Sequence, residues 1–183
     1  MESVCMCVEL HLPYHLKWYW PADGYRRPEM STYFDQERIF TDFQHLAASI
    51  GRTNKVLARS IENGAAYTLR LAGTFLDQCS WDPGVLNSFR DLADTGNVAF
   101  AASTYYHSLS ALYPDLTDFE EQVWTHMEKI SELFGVVPST FVNPELLYIR
   151  EHRRCAQKTG TDMHDRRGSQ ESAQYRYACE RIF

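Results

Sequence analysis

A single carboxylate at the end of a predicted strand is the residue of this chain best placed to do chemistry. The short apolar run at residues 140–142 predicts a buried β-strand, which Asn143 and Pro144 end. Glu145 therefore lies just beyond the carboxyl end of that strand, where α/β folds place their reacting groups. A carboxylate in this position suits catalysis, as one half of an active site. It also suits the first turn of a helix, where the helix dipole favours it, and position alone leaves both interpretations open.

Two further segments supply candidate binding residues. His11 directly follows a predicted strand at residues 4–10. In such a place a polar ring serves more often as a hydrogen-bonding pocket residue than as a metal ligand. Tyr105, Tyr106 and His107 follow another predicted strand. They could line a site for a sugar or an aromatic ligand, because aromatic faces stack on apolar sugar surfaces, or they could pack a loop.

A third segment is strongly aromatic. Trp18 and Trp20 lie in a loop at residues 14–30 that is rich in aromatic residues and proline. Large amphipathic rings suit a binding platform, and they suit equally well a hydrophobic lid over the mouth of a barrel. The sequence supports both interpretations of these two residues.

Hydrophobic periodicity predicts four strands that alternate with helices. Apolar runs or period-two alternation mark the strands, and apolar stripes with a period near 3.6 mark the helices. The predicted strands are residues 4–10, a run from Tyr67 that ends at Gly73, residues 97–102 and residues 140–142. The predicted helices run from Asp35 to Gly51, over residues 54–63, from the N-cap Asp82 to Gly96, and from a capping box of Thr117 and Glu120 to Gly135.

This order of elements predicts an α/β fold with a parallel sheet or barrel built from βαβ units. The residues that follow each parallel strand then share one edge of the sheet. By that rule a pocket forms from His11, Gly73, residues 103–107 and residues 143–145.

The composition is that of a globular domain. The chain has 183 residues, of which 44% are hydrophobic, and a net charge of −6, which argues against general binding to nucleic acid or to a membrane surface. Five scattered cysteines and the lack of a secretory apolar segment predict a reducing, cytoplasmic compartment. The sequence contains no glycine-rich phosphate loop, serine-hydrolase elbow or cysteine and histidine pairs with zinc spacing, so we expect neither a cofactor nor a metal.

The motif blocks resemble, in their order, those of glycoside hydrolase family 57. This is the α-amylase and 4-α-glucanotransferase family, whose catalytic domain is an incomplete (β/α)7 barrel. The matching blocks are residues 11–21, 94–109 and 140–148, and the resemblance spans residues 4–148. Several motifs in the correct order make a chance resemblance unlikely.

The resemblance implies the N-terminal portion of such a barrel, acting on an α-glucan or maltooligosaccharide. It makes Glu145 the nucleophile of a retaining mechanism, in which a second carboxyl group protonates the leaving oxygen. In the family that group is an Asp of a fourth region farther downstream. The only Asp residues after Glu145 are Asp162 and Asp165, and neither follows a predicted strand. The candidate substrate-binding residues are His11, Trp18, Trp20, Tyr105, Tyr106, His107 and Asn143.

Three positions depart from the family pattern. Leu12 replaces the usual Gln of the first motif, and this removes a side chain that can hydrogen-bond to sugar hydroxyls. Ser103 replaces a common Glu, and Pro144 replaces a common Thr. These departures bear on activity and leave the expected fold unchanged.

The chain divides at about residue 149 into a barrel segment, residues 1–149, and an atypical basic tail, residues 150–183. The tail carries eight Lys or Arg against five Asp or Glu and has no clear hydrophobic period. We expect a truncated or frame-shifted family member that is inactive alone because the general acid is missing. A non-catalytic glucan-binding or regulatory protein and a non-functional gene fragment are the alternatives. Self-association or a separately encoded C-terminal half could cover the open sheet edge.

Overall fold

A four-stranded parallel sheet forms the centre of the computed structural model, which describes residues 6–17 and 33–146. Its strands are β1 (Met6–Leu10), β2 (Tyr67–Leu71), β3 (Val98–Ala102) and β4 (Thr140–Phe141). They pair in chain order, β1-β2-β3-β4, and every pair is parallel. The predicted α/β fold with crossover helices is confirmed. Parallel strands that pair in chain order, as these do, form part of the wall of a barrel.

Within the described residues, four α-helices connect the strands. They are α1 (Gln36–Glu62), α2 (Gly73–Gln78), α3 (Pro83–Ala93) and α4 (Thr117–Phe134). Each of the three longer helices is amphipathic, so each has one apolar stripe to bury. Short 3-10 turns lie after α2 at Cys79–Trp81, after β3 at Ser110–Leu112 and after β4 at Pro144–Leu146.

The helices pack on one face of the sheet. Leu69 and Leu71 of β2 share that face with Phe100 of β3, since side chains alternate along a strand and Leu69 is in register with Phe100. Phe75 and Phe89 meet edge to face beneath them, with ring centroids 6.0 Å apart. A second cluster joins α4 to β3 and β4 through Ala102, Phe119, Val123, Met127 and Phe141.

The prediction that a helix ends at Gly51 is wrong. Helix α1 continues through that residue to Glu62, and both predicted helices are parts of it. The apolar stripe explains the difference, because Ile39, Phe43, Ile50 and Ile61 all lie buried on the core side. Their burial outweighs the cost of about 1 kcal/mol that a glycine imposes on a helix.

The predicted capping box at the start of α4 is also wrong. Leu116 is the N-cap and supplies no side-chain hydrogen bond. Asp115 accepts instead, from the Thr117 amide at 3.0 Å and from the Thr117 hydroxyl at 2.7 Å. The other end agrees with the prediction, because Gly135 has the left-handed conformation (φ 70°) that a helix C-terminus favours.

Two more features complete the scaffold. Asp82 caps α3 as predicted, and its carboxylate accepts from the Gly84 amide at 2.9 Å. In the part of the chain that the structure describes, no helix is both long enough and apolar enough to cross a membrane.

Candidate active site

Backbone hydrogen bonds beyond the strand ends bring the candidate loops to one edge of the sheet. Ala72 donates its amide to the Leu10 carbonyl at 2.9 Å, and Gly73 donates to the Tyr105 carbonyl at 2.9 Å. The Val142 amide in turn donates to the Ala102 carbonyl at 2.9 Å. The carboxyl ends of all four strands are thereby tied together, and the pocket residues predicted from the sequence converge there.

Glu145 contacts His107 at this edge. Its Oε1 lies 3.7 Å from His107 Nε2, and its side chain is 68% exposed. The distance is longer than a hydrogen bond, so the contact is an electrostatic one. Glu145 therefore has its carboxylate open to solvent on one side and an imidazole on the other.

Both partners in this contact have strained backbones. Among the described residues, His107 (φ 55°) and Glu145 (φ 53°) are the non-glycine residues with positive φ. That conformation costs on the order of 1–3 kcal/mol for each residue, and such residues concentrate at functional sites. Glu145 lies in the middle of a 3-10 turn and is not helical in φ and ψ, so the helix-dipole interpretation is not supported at this residue.

His107 is held on two further sides. Its ring stacks on the His11 ring, with centroids 4.1 Å apart and planes 11° apart. Its Nδ1 lies 3.3 Å from Glu9 Oε1. Burial is the main cause that lowers the pKa of His11, followed by the neighbouring His107. The structure therefore brings together three of the predicted residues, His11, His107 and Glu145.

Two charged strand residues beneath this cluster were missed by the sequence analysis. Glu9 of β1 and Arg70 of β2 are direct register partners and form an ion pair. Arg70 is buried, and its Nη1 donates to the Ser103 hydroxyl at 3.1 Å. A signal did exist, since opposite charges inside two otherwise apolar strands indicate a polar sheet face.

His126 of α4 is a third missed residue. It is completely buried, its Nδ1 accepts from the Ser103 amide at 3.3 Å, and its Nε2 lies 2.7 Å from the Leu71 carbonyl. These partners assign the proton to Nε2. Burial lowers the pKa of His126 to about 4, so the ring is neutral at physiological pH. The available signal was a histidine on the apolar stripe of a helix.

The two tyrosines predicted to line the site differ in exposure. Tyr105 is 7% exposed, and its hydroxyl donates to Asp77 Oδ1 at 2.7 Å. Lys129 Nζ also lies 3.4 Å from that carboxylate oxygen. Tyr106 packs edge-on against Tyr105 and is 58% exposed. Tyr106 therefore has a ring face open to solvent, whereas Tyr105 is packed inside the protein.

The structure describes some of the remaining predicted site residues and not others. Asn143 is fully buried at the end of β4, one residue beyond the backbone bond of Val142. Trp18 and Trp20 lie outside the described residues, as does the tail at 150–183. Across residues 6–17 and 33–146, no three His, Cys, Asp or Glu side chains come together as they would to hold a metal ion.

Solved structures of carbohydrate-active proteins resemble this fold. One is named "putative polysaccharide deacetylase" from Mycobacterium smegmatis, with a TM-score of 0.50 and 19% identity over 65% of this chain and 38% of that chain. Another is the 4-alpha-glucanotransferase from Thermococcus litoralis, with a TM-score of 0.49 and 17% identity over 54% of this chain and 15% of that one. At such identities the likeness concerns the fold alone.

The sequence itself matches a family and a curated relative. A "Putative alpha-amylase" of Methanocaldococcus jannaschii is 35% identical over 110 residues, which are 59% of this chain. The chain spans 24% of that relative's length. The model of glycosyl hydrolase family 57 matches residues 5–178, which is nearly the whole chain. The chain therefore belongs to glycoside hydrolase family 57.

Proposed function

We propose that this chain supplies the nucleophile side of a retaining site that acts on α-glucans. Glu145 would be the nucleophile, and His11, Tyr106 and His107 would contact the sugar. The observation that carries the proposal is the placement of Glu145 at the carboxyl end of β4, against His107 and its stacked partner His11. Family membership and the name of the sequence relative, a putative alpha-amylase, support the substrate class.

The chemistry would be a double displacement. A Glu145 oxygen attacks the anomeric carbon and forms a glycosyl ester, while the bond to the leaving oxygen breaks and that oxygen takes up a proton. A water or a second sugar then attacks the ester and regenerates the carboxylate. The open face of Glu145 leaves room for the sugar, and Nε2 of His107 lies beside it, 3.7 Å from the carboxylate.

The proton donor is not assigned to any described residue. A retaining site holds its second carboxyl group about 5 Å from the nucleophile. Glu9 is the other carboxylate in contact with His107, and its Oε1 is already engaged by Arg70. We infer that the acid comes from outside residues 6–17 and 33–146, and that unactivated glucans are not cleaved without it.

A donor with a fluoride leaving group tests the nucleophile without an acid. With α-maltosyl fluoride and azide, the protein should form α-maltosyl azide, in which two displacements retain the configuration. Glu145→Gln should abolish that product, and the exposed Glu121→Gln serves as the matched control. NMR of the azide product distinguishes the anomers. Maltooligosaccharide binding without any azide product would contradict the enzyme proposal and identify a binding site.

A further inference from the structure

Arg70 is a buried cation on the site side of the sheet. It lies in the middle of the sheet, where β2 pairs with β1 and β3, and its side chain is only 3% exposed. Burying a guanidinium is costly unless it is paired and hydrogen-bonded. Arg70 pairs with Glu9 through one nitrogen and donates to Ser103 through another, and its buried Nε has no hydrogen-bond partner among the described residues. The ion pair and the hydrogen bond together connect three elements, β1, β2 and the loop after β3.

The carboxylate of Glu9 is shared with His107. The oxygen that Arg70 binds, Oε1, also lies 3.3 Å from His107 Nδ1. An ionised carboxylate only accepts hydrogen bonds, so this contact places the imidazole proton on Nδ1. Which nitrogen of a histidine carries the proton is set by the partner of the other nitrogen. Nε2 is then unprotonated, and it faces the site as a hydrogen-bond acceptor, 3.7 Å from Glu145 Oε1.

We propose that the Arg70–Glu9 ion pair is a positioning device that fixes the tautomer and orientation of His107, so that its Nε2 faces the site beside Glu145 as a hydrogen-bond acceptor for a sugar hydroxyl. Its consequence for catalysis rests on the proposed function, in which Glu145 is the nucleophile. Neither Glu9 nor Arg70 needs to touch the sugar for this role. Their effect passes through the ring of His107.

Two observations concern how the His107 ring is restrained. His107 has a left-handed backbone, so its side chain leaves the chain in a direction that the loop alone would rarely select. The stacked His11 ring restricts the plane of the imidazole but permits a 180° flip about the Cβ–Cγ bond, which keeps the plane and moves both nitrogens. The Glu9 contact supplies the missing restraint, because it distinguishes the two nitrogens.

The protonated nitrogen of His107 can be measured directly. Long-range proton–nitrogen correlation spectra of the unaltered protein report which imidazole nitrogen carries the proton, and His107→Gln assigns the signals. The expected result is a proton on Nδ1 and none on Nε2. A ring with its proton on Nε2 would overturn the proposal, and this measurement needs no altered Glu9 or Arg70 that could fail to fold.

A kinetic comparison tests the same pair. Glu9→Gln keeps the shape and an acceptor oxygen but removes the charge that holds Arg70. With α-maltosyl fluoride and azide, we expect kcat to fall about tenfold, the scale of one hydrogen bond to the sugar lost in the transition state, with little change in KM. In the same variant the His107 signals should show both tautomers. Arg70→Lys, which keeps the charge and loses the forked geometry, should give a smaller change of the same kind.

The outcomes separate this proposal from the proposed function. If the unaltered protein forms no azide product but His107 carries its proton on Nδ1 and loses that preference in Glu9→Gln, the positioning role stands and the nucleophile assignment fails. If the product forms and Glu9→Gln changes neither the His107 tautomer nor kcat, the positioning role is overturned. Glu121→Gln should leave both measurements unchanged.

Discussion

The two faces of the parallel sheet differ in what their side chains contact. On one face Leu69 and Phe100 pack against helices and lie within a single apolar cluster. On the other, Glu9 and Arg70 form an ion pair that leads to the site at the carboxyl edge. On the first face, apolar side chains recur at every second residue of a strand. They stabilise the fold through burial, which does not depend on the direction of individual contacts. The second face depends on specific ion-pair and hydrogen-bond partners, so each of its residues contributes through the position of its polar atoms.

Removal of a core ring should have the largest effect on the helix-packed face. Phe89 is 1% exposed and packs edge-on against Phe75. Phe89→Ala should lower the free energy of unfolding by about 3–5 kcal/mol, because it removes buried area and leaves a cavity. Val56→Ala is the control, since Val56 is 64% exposed on α1 and should change stability by less than about 0.5 kcal/mol. Urea unfolding curves measure both, and equal losses would contradict this account of the core.

Acidification should lower the free energy of unfolding through His126, which is buried against the end of β2. The folded pKa of His126 is about 4 against an ordinary value of 6.5, because the ring is buried. Between these values the unfolded chain binds a proton that the folded chain does not, so stability is complete above about pH 6.5 and falls as the pH falls toward 4. The loss should reach about 3 kcal/mol at pH 4.

Unfolding in urea across that pH range measures the effect. His126→Gln can still donate and accept a hydrogen bond but does not titrate, so its stability should depend less steeply on pH in this window. The same pH dependence in both proteins would show that His126 is not the group responsible.

A pair of glycine substitutions should give opposite and smaller effects. A Cβ on Gly73 would lie 2.5 Å from the Tyr105 ring, so Gly73→Ala should destabilise the site edge by about 1–3 kcal/mol. Gly51 lies within α1 with open space around it, so Gly51→Ala should stabilise the protein by about 0.5–1 kcal/mol. Melting temperatures of the two variants should move in opposite directions, and a shift in the same direction would contradict the account.

The sequence predicted the helix-packed face better than the polar one. The alternation at Tyr67, Leu69 and Leu71 is a local pattern, and the structure contains the strand it predicts. The role of Gly51 was misjudged because a glycine stops a helix only when no tertiary burial continues past it. A local pattern does not show how far burial extends.

The convergence of the candidate site residues was predicted in part for a related reason. Glu145, His11 and His107 follow strands, and the convergence of parallel strand ends is a general rule, so these three could be placed together. The roles of Glu9 and Arg70 depend on which residues of β1 and β2 lie opposite each other. Register between strands about 60 residues apart is a tertiary fact that a single sequence does not contain.

The central claim is that Glu145 is the nucleophile, and trapping of the covalent intermediate tests it most directly. The protein is treated with 5-fluoro-α-D-glucosyl fluoride, whose ring fluorine slows the second displacement, and is then digested and mapped by mass spectrometry. The account predicts one added 5-fluoroglucosyl group on the peptide that contains Glu145, and none in Glu145→Gln. A label on another carboxylate, or no label in a folded sample of the unaltered protein, would contradict it.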